Sequence, residues 1–146
     1  MKDLNKYVES PEEMVALGEG LSQSLKAGAV IALKGDLGAG KTHLTKGLTS
    51  GLGCDAEVTS PTFSLAHEYT GGRLSVFHFD FYRIEKEEEV LGIGWDEYLD
   101  AADEGGVIIV EWPDKFSSLL PDSAFWLEVL HEGAGRLVQS IQSKKL

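Results

Sequence analysis

Residues Ala32–Leu48 read ALKGDLGAGKTHLTKGL, and Gly35 to Thr42 within them match GxxxxGK[ST] at every fixed position. Gly35, Gly38 and Gly40 carry no side chains, so the backbone can curl until successive N–H groups face phosphate oxygens. Lys41 brings an ammonium to the β and γ phosphates of a nucleotide, and the Thr42 hydroxyl is a ligand for Mg²⁺. Just upstream, AVIAL (Ala29 to Leu33) is apolar throughout, as in a parallel strand covered on both faces. Downstream, Leu44, Leu48 and Leu52 recur at four-residue spacing. That spacing predicts a helix from Lys41 onward, with its positive end toward the same phosphates. Strand, glycine loop and helix in this order separate a phosphate loop from a mere glycine-rich turn.

The flanking chain fits around this unit. Ser10, Pro11 and Glu13 form a helix start, with a hydroxyl cap, proline at the first position and a carboxylate at the third. Met14, Leu17, Leu21 and Leu25 then share a face, and Gly28 is the expected stop. TSPTFSLAHEY and RLSVFHFDFYR, separated by Gly71 and Gly72, predict a hairpin. In its second strand Phe77, Phe79 and Phe81 point one way, and His78 and Asp80 the other. EKEEEV is a solvated helix surface, WDEYLDAADEG a short helix, and GVIIVEWP a second buried strand ended by proline. AFWLEVLHEGAGRLVQSIQ alternates around a Gly-Ala-Gly turn, as a closing hairpin does. Together these predict one domain over residues 1–146, an α/β P-loop NTPase-like fold with a mixed central sheet, flanking helices and β-hairpins.

A ligand on an open α/β sheet sits beyond the carboxyl ends of the strands. There GVIIVE delivers Glu111 and VFHFD can deliver Asp80. The expected cofactor, ATP with Mg²⁺, is contacted by the loop residues Asp36, Leu37, Gly38, Ala39, Gly40, Lys41, Thr42 and His43. Thr42 and Glu111 are the candidate metal ligands, and Glu111, Asp80 and Lys41 the candidate catalytic residues. Glu111 is assigned mainly to metal and attacking water, and Asp80 to the loop threonine and the metal's outer shell, although the two acids can exchange these tasks. Thr62, in SPTF, either senses the γ-phosphate or metal or simply lies in a turn. His78 reads as a hydrogen-bonded packing residue before a proton carrier. Arg83 can pair with the acidic run that follows, or reach the nucleotide or a partner.

Composition narrows the function. Thirteen Lys and Arg against 24 Asp and Glu give a net charge of −11, which argues against a broad basic surface for nucleic acid. Any RNA is then held mainly by another chain. The one cysteine, Cys54, has no partner for a disulfide within the chain and no CxxC spacing for zinc, so a small buried thiol in a reducing compartment is expected. The first residues contain no apolar signal core, and no apolar run approaches the roughly 20 residues that span a bilayer. A cytoplasmic location follows, without membrane association. No [NT]KxD element follows the loop, which disfavours guanine. A small metabolite kinase usually clamps its phosphoryl group with several lid arginines, and only Arg73, Arg83 and Arg136 are present. Hydrolysis coupled to a protein partner fits better than transfer to a small molecule. A nucleotide-gated binding module remains the other alternative.

GDLGAGKT, SPTF, HFDFYR and VEWP, in this order and spacing, closely resemble the TsaE (YjeE) family, bacterial P-loop ATPases of tRNA threonylcarbamoyladenosine biosynthesis. The resemblance runs from about Ser10 to beyond Trp112. It implies TsaD and TsaB as partners, with tRNA engaged indirectly through their complex. It also implies ATP hydrolysis that resets the complex between turnovers, the transfer itself being done elsewhere. By position, Lys41 and Thr42 correspond to phosphate and Mg²⁺ ligands and Asp80 and Glu111 to the family's acidic residues. Thr62 lies in a switch-like segment, and Trp112 matches the tryptophan beside the acid, here counted with the cofactor-binding residues.

Overall fold

The computed structural model describes residues 3–36, 38–54 and 66–141. Among these residues, seven strands form one mixed sheet: β1 (Asn5–Val8), β2 (Val30–Lys34), β3 (Ala66–Tyr69), β4 (Ser75–Asp80), β5 (Gly106–Glu111), β6 (Phe125–Glu132) and β7 (Gly135–Ile141), in spatial order β1-β7-β6-β2-β5-β4-β3. The central strands β6, β2, β5 and β4 run parallel. Antiparallel β7 and β1 extend one side, and β3 closes the other. The expected α/β architecture with a mixed, helix-flanked sheet and hairpins is therefore present.

Alternation along the buried strands divides the core into two faces. Ile31, Leu33, Val107, Ile109, Leu127 and Val129 pack against helices α1 (Pro11–Ser22) and α2 (Lys41–Gly51). Val30, Ala32, Ile108 and Val110 join Phe77, Phe79 and Phe81 on the opposite face. There α4 (Trp95–Gly105) seats Trp95 edge-on against Phe79 and Phe81. The short α3 (Glu87–Gly92) keeps its glutamates outward and buries Val90. Cys54 is buried, its thiol donating to the carbonyls of Tyr69 and Leu74.

The N-terminal helix starts where its sequence predicts. Ser10 Oγ accepts from the Glu13 N–H, while the Glu13 carboxylate accepts from the N–H of Glu9. It ends at Ser22 instead of running to Gly28. Ser22 and Ser24 hydroxyls donate to the carbonyls of Glu19 and Leu21, and the backbone tightens into i→i+3 bonds up to Leu25. Arg73 then donates to the carbonyls of Ser22 and Leu25, a cap from a distant hairpin that local periodicity cannot reveal. Strand β1 and the 3₁₀ segment Pro113–Leu119 add to the elements that the sequence pattern predicts. Of TSPTFSLAHEY, only Ala66 onward falls within the described residues. No helix among the described residues is long and apolar enough to cross a membrane.

Candidate functional site

Register brings the two acids together. Leu33 and Glu111 are Cα partners across β2 and β5, and Asp80 and Glu111 are partners across β4 and β5. The carboxyl ends of three parallel strands are therefore level, and the glycine loop leaves β2 directly beside them. Gly38 and Gly40 adopt φ values of 76° and 107°, a region costly for any residue with a Cβ. A Cβ on Gly35 would stand 2.6 Å from the carbonyl oxygen of Val129, so the loop lies flat on β6.

Lys41 opens α2 and is buried. Its Nζ donates to the Gly35 carbonyl at 2.5 Å and lies 4.3 Å from the centroid of the Trp112 ring. Burial pushes this ammonium below its ordinary value, against the opposing pull of Glu111, Asp80, Asp114 and Asp36. Trp112 itself has φ 56°. A left-handed conformation in a bulky residue costs about 1–3 kcal/mol and is kept where packing determines it. Here that packing includes Lys41 and the Tyr82 ring, whose centroid lies 4.8 Å from that of Trp112. Glu111 is also buried, its Oε2 2.7 Å from His78 Nε2. Asp80 Oδ1 accepts from the N–H of Tyr82 at 2.9 Å.

These residues border one cavity of about 410 Å³. Gly38, Gly40, Lys41, Thr42 and His43 line it from the loop and α2, and Asp80, Glu111 and Trp112 from the strand ends. Asp36 and Ala39 are not brought to it. Asp36 is exposed, and Ala39 is buried with its N–H donated to the Asp36 carbonyl. Leu37 and Thr62 lie outside the described residues. Arg83 is exposed and forms no ion pair among the described residues.

The far wall is built from residues outside those that the sequence predicts for the site. Val8, Pro11 and Met14 supply apolar surface from the β1–α1 junction, and Ala134, Gly135 and Arg136 close it from the β6–β7 turn. Arg136 also donates to the loop carbonyls of Ala39, at 3.1 Å, and Gly38, at 3.3 Å. Only the proline and serine of the junction gave a local signal, and it was already explained by capping.

The lining fits an elongated ligand with an anionic end and a flat apolar end. Loop amides, the start of α2 and Lys41 suit the first, and Val8, Pro11 and Met14 the second. Among the described residues no three His, Cys, Asp or Glu side chains converge on a metal. The Thr42 hydroxyl and one carboxylate suit Mg²⁺, which usually takes few protein ligands and shares its shell with phosphate and water.

Comparison with known proteins gives the family. The profile of the family described as "Threonylcarbamoyl adenosine biosynthesis protein TsaE" matches residues 8–138. The chain is 41% identical over 133 residues to the tRNA threonylcarbamoyladenosine biosynthesis protein TsaE of Bacillus subtilis, covering 91% of this chain and 81% of the relative. It is 29% identical over 151 residues to the protein of the same name from Haemophilus influenzae, covering 100% and 94%. The crystal structure of Bacillus subtilis YdiB superposes with a TM-score of 0.77 at 34% identity, covering 95% of this chain and 84% of that one. The fold is accordingly P-loop NTPase-like, and the matched span contains the strand ends, the glycine loop and every element except most of β1 and the end of β7. This chain belongs to the TsaE family.

Proposed function

We propose that this protein is the ATPase subunit of the machinery that makes tRNA threonylcarbamoyladenosine, binding Mg-ATP in the cytoplasm and hydrolysing it to sustain multiple turnovers of a TsaD–TsaB complex. The transferase chemistry lies in those partners, which also hold the tRNA. The observation that carries this reading is the convergence of Lys41, Thr42, Asp80 and Glu111 on one cavity.

In this reading the loop amides and Lys41 grip the β and γ phosphates, and Thr42 with Glu111 holds the metal. Bound Mg²⁺ would neutralise charge developing on the phosphate oxygens. Glu111, or Asp80 in the exchanged assignment, orients a water in line with the γ-phosphorus and accepts its proton. One P–O bond forms to that water as the bond to the β-phosphate oxygen breaks, leaving ADP and phosphate. The arginines disfavour a kinase. Arg73 is committed to a helix end and Arg136 to the loop carbonyls, so only Arg83 is left for a lid.

ATP hydrolysis should be slow for the isolated protein and faster with TsaD and TsaB. Lys41→Ala should lose nucleotide binding and multiple-turnover modification, and full modification by that variant would refute the proposal. Glu111→Ala should lower the hydrolysis rate by about 10²-fold or more while retaining nucleotide. If it leaves hydrolysis and modification unchanged, the catalytic role assigned to Glu111 is wrong.

A further inference from the structure

His78 is completely buried on the sheet face shared with Glu111, and both ring nitrogens are engaged. Nε2 lies 2.7 Å from Glu111 Oε2, and Nδ1 lies 3.2 Å from Tyr69 Oη. Tyr69 Oη in turn lies 3.3 Å from Nδ1 of the half-buried His67. The row crosses three adjacent strands. His67 and His78 are Cα partners across β3 and β4, His78 faces Ile109 across β4 and β5, and Glu111 is two residues further along the same face. Diagonal neighbours at this offset are within reach of long side chains.

Donor and acceptor capacities give the row a direction. A carboxylate only accepts, so Nε2 of His78 carries a hydrogen toward Glu111, and in the neutral ring Nδ1 then accepts. The Tyr69 hydroxyl is positioned to donate to that Nδ1, leaving its oxygen to accept from His67. Tyr69 thus selects the tautomer of His78, and the tautomer decides whether Nε2 attracts or repels Glu111. With the hydrogen on Nδ1 instead, two lone pairs would face each other at 2.7 Å.

We infer that His78 is a positioning residue for the reaction proposed above, fixing the Glu111 carboxylate at the cavity wall, and that Tyr69 acts through it by setting its tautomer. The inference rests on the ATPase reading. A glutamate has three side-chain torsions, and a misplacement near 1 Å at a reacting group can cost about 10²-fold in rate. Anchoring one oxygen from within the sheet limits that freedom before ligand arrives.

The test is steady-state ATP hydrolysis by the full chain with TsaD and TsaB, accompanied by calorimetric ATP affinity, thermal denaturation and ¹⁵N NMR of the histidine rings. His78→Asn, too short to reach Glu111, should lower kcat by about 10–100-fold with KM and affinity within about threefold. His78→Gln places an N–H donor near the former Nε2 and should recover most of that loss. Tyr69→Phe should lower kcat about 3–10-fold in the native background and leave it unchanged in the His78→Gln background, because an amide has no tautomer to select. The native His78 signal should show a hydrogen on Nε2 and shift in Tyr69→Phe and in Glu111→Gln. Equal losses in His78→Asn and His78→Gln, additive effects of Tyr69→Phe, or an Nδ1–H tautomer in the native protein would overturn the positioning role while native hydrolysis persists. Absence of hydrolysis by the native protein with both partners would instead overturn the ATPase reading and this role with it.

Discussion

Lys41 is subject to opposing demands. The proposed phosphate binding needs a fixed ammonium, but burial disfavours one, and its bond to Gly35 and contact with Trp112 only partly replace water. Because the folded-state pKa lies below the unfolded value of 10.5, the unfolded chain binds this proton more readily. Stability attributable to the group therefore rises with pH between the lowered folded value and 10.5, and the full charge-burial penalty persists below that window. Lys41→Met should melt at or above the native temperature at neutral pH, with the difference shifting in favour of the native protein as pH approaches 10.5. Nucleotide binding should be lost throughout. Differential scanning calorimetry of both proteins across that range tests the sign, and an advantage for the native chain that shrinks on raising the pH would contradict it. Lys41 was legible in the sequence because GxxxxGKT is contiguous. The strand-end position of Glu111 was legible as well, because GVIIVE is a buried strand ending on an acid. The partners of His78 and Tyr69 were not, since which side chains meet across three strands depends on register.

At the scale of elements, α1 and α2 approach closely where both lack bulk. A Cβ on Gly47 would lie 2.1 Å from the Val15 carbonyl oxygen and 3.0 Å from Gly18 Cα, and one on Gly51 would lie 2.0 Å from Ser22 Oγ. Helix propensity alone favours Gly47→Ala by about 1 kcal/mol. Here the added methyl meets backbone, which cannot rotate aside, so the substitution should destabilise by about 1–3 kcal/mol. It should also weaken nucleotide binding, since the same helix carries Lys41 and Thr42. Gly20→Ala is the control, because its Cβ meets nothing within 4 Å in α1, and it should stabilise by about 0.5–1 kcal/mol. Urea denaturation of the two variants should move the midpoint in opposite directions. The leucine spacing identified α2 as a helix, yet leucines report only which face is buried. How near another helix comes is set by Gly18, Ser22, Gly47 and Gly51, whose pairing requires the three-dimensional crossing.

Across the whole molecule, the closing hairpin takes a place that its alternation could not specify. β6 adds to the parallel core beside β2, and β7 then receives β1. Local pattern supplied the strands and the turn, and long-range pairing supplied their position. One consequence is that Arg136 reaches the phosphate loop across 97 residues of sequence, donating from Nε to Ala39 and from Nη2 to Gly38. Under the ATPase proposal, an anionic nucleotide approaching a protein of net charge −11 meets unfavourable long-range potential, so affinity would have to come from cations and amides fixed close to the loop. Arg136 contributes a charge at the cavity and restrains the carbonyl side of the loop. Hydrogen bonds from a charged donor contribute about 1.5–3 kcal/mol, so Arg136→Met should weaken ATP binding by about 10-fold or more. Its methylene portion is largely retained, but both carbonyls lose a charged donor, so the melting temperature should fall as well. Arg136→Lys should recover charge but not both carbonyl bonds, leaving an intermediate affinity. Isothermal titration with Mg-ATP distinguishes these outcomes: equal affinity in Arg136→Met and the native chain would mean that the hairpin merely covers the cavity, whereas graded loss would make it part of the loop's support.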